Sequence, residues 1–132
     1  MAFRLYSTDD GHVPAWEYYE CSAMKPEVGM GMAFNEGTGK LEASARPVVV
    51  CMRDEDAAVE AGTKIPVVRI TPDQVWESGF YSAAPNAKVG TRCDVSATGL
   101  WVAGAATVNS NFEITYLSGT AMDSVVRGRF VK

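Results

Sequence analysis

Histidine is almost missing from this sequence and cysteine is scarce. The single histidine, His12, lies in a polar stretch beside Asp9 and Asp10. The three cysteines, Cys21, Cys51 and Cys93, are odd in number and none belongs to a CxxC pair. A structural zinc site wants four such ligands at finger spacing, and a catalytic one an HExxH-type helix; neither is here, and no metal or other cofactor is expected. Scattered cysteines without an Asn-x-Ser/Thr sequon fit free thiols in a reducing compartment. Nucleophilic catalysis needs a base within reach of the nucleophile, and His12 has no such partner in sequence. An enzyme built on Cys93 or His12 is the least favoured of three functional readings, and the chain is expected not to be an enzyme.

Long apolar runs are also missing. The longest, Pro47 to Met52, is far short of the roughly 20 residues that span a bilayer. The first residues, MAFRLYSTDDGHVPAW, hold one basic residue and no apolar core before a small-residue cleavage site, so they do not read as a secretory signal, and synthesis in a cytoplasm is expected. There is no excess of positive charge: 12 Lys+Arg face 16 Asp+Glu, a formal net charge of −4. That balance opposes unspecific binding to phosphate backbones and anionic lipid, so neither nucleic acid nor membrane is an expected partner. At 132 residues with 47% hydrophobic and 21% charged residues, the composition is that of one globular domain.

What is present is β-strand signal. Pro47 to Met52 (PVVVCM) and Ile65 to Ile70 (IPVVRI) are continuous rather than alternating apolar runs, the pattern of strands shielded on both faces. They are expected to be the core pair. The link RDEDAAVEAGTK between them reads as a solvated connection, with or without one helical turn, closed by Gly62. Trp16 to Ala23 reads as a strand with Trp16 and Tyr18 on one face and Tyr19 and Cys21 on the other. Asn35 to Lys40 (NEGTGK) is a hairpin loop between Met30 to Phe34 and Leu41 to Ala45. Thr71-Pro72-Asp73-Gln74 fits both a type I turn and a capping box; a turn followed by the strand Val75 to Tyr81 is preferred. Shorter strands follow over Arg92 to Ser96 and Leu100 to Val102, then a Gly/Ala/Asn stretch, Phe112 to Leu117, and Ser124 to Val131. The expected fold is all-β: a small single-domain β-barrel or β-sandwich of about eight to nine short strands, with an extended arm over residues 1–15 and a core over 16–132. Gly29, Gly62, Gly90 and Gly119 each precede a strand and read as corner glycines rather than marks of duplication.

Several local patterns invite a chemical reading and do not sustain it. Asp54-Glu55-Asp56 lacks EF-hand spacing and reads as solvated charge. Gly37-Thr38-Gly39-Lys40 has Phe34 and Leu41 where a phosphate loop needs glycine and Ser/Thr. Gly29-x-Gly31 has Phe34 in place of the third glycine of a dinucleotide turn and no βαβ unit after it. The aromatics Trp16, Tyr18, Tyr19, Trp76, Phe80, Tyr81 and Trp101 suit packing, or stacking on sugars or bases. Phe3, Leu5 and Tyr6 form an apolar hook on a polar tether. Arg127 and Arg129 lie on the closing strand, either as a charged edge for a partner or as an edge strand defended by charge. The candidate partner-binding residues are therefore Phe3, Arg4, Leu5 and Tyr6 of the hook, with Arg127 and Arg129. A hook that clasps a partner carries its own expectation: deleting residues 1–12 should weaken assembly more than it lowers the domain's melting temperature.

In order, EVGMGMAFNEGTGKLEASARPVVVCM, AGTKIPVVRITPDQVWES, KVGTRCDVSATGLWV and VVRGRF resemble a family of small phage and prophage head proteins. The family runs through a glycine turn and hairpin, a Pro-led strand, a glycine turn into I-P-V-hydrophobic-R/K, a hydrophobic-aromatic-Glu strand, a V-G turn and a closing arginine-containing strand. The resemblance covers Glu27 to Phe130. It implies a capsid decoration or cement protein on the shell exterior, binding the major capsid protein in many copies and associating with itself, trimers at symmetry axes included. It brings no catalytic residues. The alternative from the residues alone is a carbohydrate- or ligand-binding β-barrel using exposed aromatics such as Trp76 and Trp101.

Overall fold

A computed structural model describes residues 2–103 and 111–131. The two apolar runs do lie at the centre. β5 (Val49–Cys51) and β6 (Lys64–Arg69) pair antiparallel with Val50 opposite Val68 and Cys51 opposite Val67. Both strands are buried on both faces, which is why the runs are continuous. Pro66 lies just past the last pair of this ladder, Cys51 with Val67, and supplies no donor there; its carbonyl accepts from the Met52 N–H at 2.9 Å.

Among the described residues, ten strands form two antiparallel sheets of five. The remaining strands are β1 (Arg4–Thr8), β2 (Trp16–Glu20), β3 (Gly31–Phe34), β4 (Leu41–Ala43), β7 (Gln74–Gly79), β8 (Arg92–Cys93), β9 (Phe112–Leu117) and β10 (Val125–Phe130). The first sheet has the order β1-β7-β10-β9-β8 and the second β2-β6-β5-β3-β4. Side chains from both, among them Val50, Val68, Trp76, Phe80, Phe112, Ile114 and Val126, make the core between them. A second core of Cys21, Met30, Met32, Leu41, Val49, Cys51, Ile65 and Val67 covers the other face of the second sheet. That sheet curls around it: a bridge joins Cys21, just past β2, to Leu41 at the start of β4. It does not close, so of the two architectures expected the molecule is a sandwich.

Two expectations change, and one left open is settled. The arm is a strand of the first sheet, which brings the count above eight or nine. Leu100 to Val102 forms no strand; Val102 makes single bridges to Phe80 and Val95. The acidic link takes bends and a turn with no helical turn, tied down where Val59 bridges Met24. The Gly/Ala/Asn stretch before Phe112 falls mostly at 104–110, outside the described residues. The ambiguity at Thr71 is resolved as a turn: Gln74 N–H donates to the Thr71 carbonyl at 3.2 Å and Gln74 Oε1 accepts from Thr71 N–H at 2.9 Å. NEGTGK is a hairpin loop in which Asn35 Oδ1 accepts from the N–H groups of Gly37 and Thr38. Of the four glycines read as corners, Gly29, Gly62 and Gly90 have positive φ and Gly119 does not. The tightest backbone approach is at Gly99, φ +72°, whose carbonyl accepts from Gly31 N–H at 2.7 Å; a Cβ there would lie 2.1 Å from the Gly31 oxygen.

Candidate partner-binding site

The N-terminal residues help to set up an ordered outer surface. In β1 alternate residues point to opposite faces. Phe3, just before the strand, is 2% exposed, with ring centroids 5.6 Å from Phe112 and 5.2 Å from Phe130. Its N–H donates to the Gly29 carbonyl at 3.0 Å. Leu5 packs partly buried against the same core. Arg4 points the other way, and so does Tyr6, beside the irregularity between Leu5 and Ser7. The hook therefore clasps its own domain, and Phe3 is core, out of a partner's reach.

Outward, pairing across four strands aligns Arg4, Glu77, Arg127 and Tyr116 in one row. Glu77, the only charged residue of β7, has a side chain 5% exposed and is held from both sides. Arg4 Nη2 donates to its Oε1, and Arg127 Nε donates to Oε2 at 2.7 Å. The Arg127 hydrogen bond, and after it the one from Arg4, hold the Glu77 carboxyl below the usual range against the cost of burial. The Arg127 guanidinium lies between two rings, 3.9 Å from the Tyr6 centroid and 4.4 Å from that of Tyr116. This fixes a flexible side chain between two half-exposed tyrosines. β10 can follow this path because Gly128, at its register shift against β9, has no side chain; a Cβ would lie 2.2 Å from the Glu113 carbonyl oxygen.

Arg129 bonds to Asp9 Oδ1 at 2.8 Å and the Pro72 carbonyl at 2.9 Å, fastening the turn after β1. The reading of Arg127 and Arg129 as an edge strand defended by charge is overturned, since β10 runs between β7 and β9. Of the six candidates, Arg4, Tyr6, Arg127 and Arg129 share one outer face, while Phe3 and Leu5 anchor it from within. Glu77 and Tyr116 belong to that face and were missed. A lone carboxylate within the apolar strand QVWESG was the one signal that arginines must meet it.

The other candidates separate. Trp76 is fully buried, with its Nε1 donating to Gln74 Oε1 at 3.0 Å, so it offers no ring to a sugar. Trp101 is half-buried, edge-on to Tyr81, and borders an open cleft of about 230 Å³ shared with Glu27, Val28, Asp54 and Leu100. Asp54 accepts from Val28 N–H there at 2.7 Å. All three cysteines are free and buried, and burial pushes the Cys93 thiol up to about 11, leaving it protonated at neutral pH. Among the described residues no group of three or more His, Cys, Asp and Glu side chains is arranged to hold a metal, and no helix is long and apolar enough to cross a membrane. No family model matches this chain, and no curated protein matches it.

Proposed function

We propose that the chain is a structural virion protein that binds the major capsid protein on the outside of the shell and decorates or stabilises the head, without enzymatic activity. The observation that carries the reading is the row Arg4, Glu77, Arg127, Tyr116 with Tyr6. Arginine and tyrosine dominate the energetics of protein contacts. Here they are held rigid before any partner arrives, which lowers the ordering cost of binding. A pre-ordered sheet face suits a broad protein contact repeated over a lattice, where many modest interfaces add by avidity. The resemblance to phage head proteins and the net negative charge, suited to the exterior of a DNA-filled shell, point the same way. The test is co-sedimentation with preformed empty shells of the cognate capsid protein. Saturable binding that falls at least tenfold in an Arg4→Glu/Tyr6→Ala variant supports the reading, and no binding of the wild type refutes it.

A carbohydrate-binding role is the second reading, favoured by the cleft where Trp101 stands near the carboxylates of Glu27 and Asp54. Glycan-array binding abolished by Trp101→Ala would put it first.

A further inference from the structure

Two of the arginines on the outer face of the first sheet are matched by an acid of their own. Arg129 meets Asp9 at 2.8 Å, and Arg92 meets Glu113 at 3.4 Å. Arg4 and Arg127 share the single carboxylate of Glu77, so that triad keeps one unit of positive charge on a chain whose formal net charge is −4. Its donors are not spent either. Arg4 uses only Nη2 on Glu77, and its side chain is 75% exposed. Arg127 uses only Nε, and among the described residues no acceptor meets either of its Nη groups. The Tyr6 and Tyr116 rings cover its guanidinium. A further hydrogen bond to Arg127 is therefore made in the guanidinium plane, at the Nη edge, and the half-buried side chain is reached there from solvent.

We propose that the Nη edge of Arg127 is the seat for a carboxylate, an aspartate or glutamate side chain of the protein that docks on this face, with Arg4 supplying the second positive charge across Glu77. The identity of that protein rests on the shell reading; the carboxylate site does not. A guanidinium edge presents two parallel N–H donors that match the two oxygens of a carboxylate. Charge selects among anions. One carboxylate neutralises the one excess positive charge, whereas a phosphate monoester brings about two negative charges at neutral pH onto a chain that is already negative. The two rings hold the fork in place, so an incoming carboxylate does not have to immobilise a free arginine. Glu77 sets the limit on affinity, because it competes for the same two guanidiniums. A single carboxylate is therefore held weakly, and tight attachment comes from repetition of the contact.

The experiment has two arms, both with the full chain. In the first, sodium acetate is titrated at constant ionic strength while the arginine side-chain N–H resonances are followed by NMR. Saturable shifts are expected at Arg127 and Arg4 and none at Arg46, which lies before β5 in the other sheet. Arg4→Gln leaves the Arg127 bond to Glu77 in place and removes the excess charge, and it should weaken acetate binding at least threefold. Arg127→Lys keeps the charge and loses the fork, and it should weaken binding at least fivefold with the circular dichroism spectrum retained. Arg4 is exposed, so Arg4→Gln decides the matter should Arg127→Lys not fold. Shifts spread evenly over all the arginines, no saturable shift at Arg127, or tighter binding of inorganic phosphate than of acetate overturns the proposal. In the second arm the variants are sedimented with preformed shells of the cognate capsid protein, and Arg127→Lys should bind at least tenfold more weakly than wild type while Arg46→Lys binds as wild type does. Shell binding as tight in Arg4→Gln and Arg127→Lys as in wild type overturns the proposal and leaves the shell reading standing. Acetate binding at Arg127 by a chain that ignores shells upholds the carboxylate site and refutes the shell reading.

Discussion

Phe3→Ala should be among the most damaging substitutions in the chain, although Phe3 lies close to its amino end. The ring is 2% exposed and packs against Phe112 and Phe130, and Phe130 in turn meets Trp76 at 6.4 Å. Removing a buried phenylalanine costs about 3–5 kcal/mol. The lower end applies here, because a segment near a terminus can shift to fill part of the space. About 3 kcal/mol in a domain of this size lowers the melting temperature by about 10 °C. Tyr6→Ala removes a half-exposed ring whose contact is the cation–π stack on Arg127, and it should cost about 1 kcal/mol or less. Deleting residues 1–12 should exceed both, since it removes Phe3, uncovers β7 and strips Arg4 from Glu77. The deletion thus carries a large stability loss of its own, against which the expected loss of assembly has to be compared. Urea denaturation followed by tryptophan fluorescence measures all three. If Phe3→Ala unfolds within 1 kcal/mol of wild type, or no further from it than Tyr6→Ala, the assignment of the arm to the core is wrong.

Other parts of the account are open to similarly direct measurement. Gly99→Ala should cost at least about 2 kcal/mol, because it adds contact with the Gly31 oxygen to left-handed strain; Gly39→Ala, at φ +71° with nothing within 4 Å of the new Cβ, should cost about 1 kcal/mol, and equal losses would discredit the Gly31–Gly99 contact. Arg127 and Arg4 lower the Glu77 carboxyl in the folded state, while the unfolded group titrates at about 4.3. Its contribution is thus fully present above that pH and is lost as pH falls through the lower folded value. Glu77→Gln should destabilise the protein at pH 7 and flatten the acid limb of its stability profile, and an unchanged limb would argue against the double ion pair. With all three thiols buried, none should react with a disulfide reagent in the native protein on the timescale in which the urea-denatured chain releases all of them; a rapidly reacting native thiol would contradict that burial.

The centre of the fold was legible because β5 and β6 are buried on both faces and write that fact as unbroken β-branched runs. The all-β class followed from turn residues recurring between short strands. The arm was harder. RLYST spends alternate positions on outward Arg4 and Tyr6, and its partner β7 lies about seventy residues along the chain, beyond the reach of local periodicity. The same distance hid the site: Arg127 and Arg129 stood out as a charged pair, but a central position for β10 is fixed by pairing with β7 and β9 rather than by its own residues. Trp76 could not be told from an exposed tryptophan until Gln74 was seen to satisfy its indole N–H.

The most direct test of the central claim is the copy number of this chain in purified particles, measured by quantitative mass spectrometry against the major capsid protein. The account predicts a ratio near one or a simple fraction set by the shell's symmetry. A handful of copies per particle, or none, would contradict it.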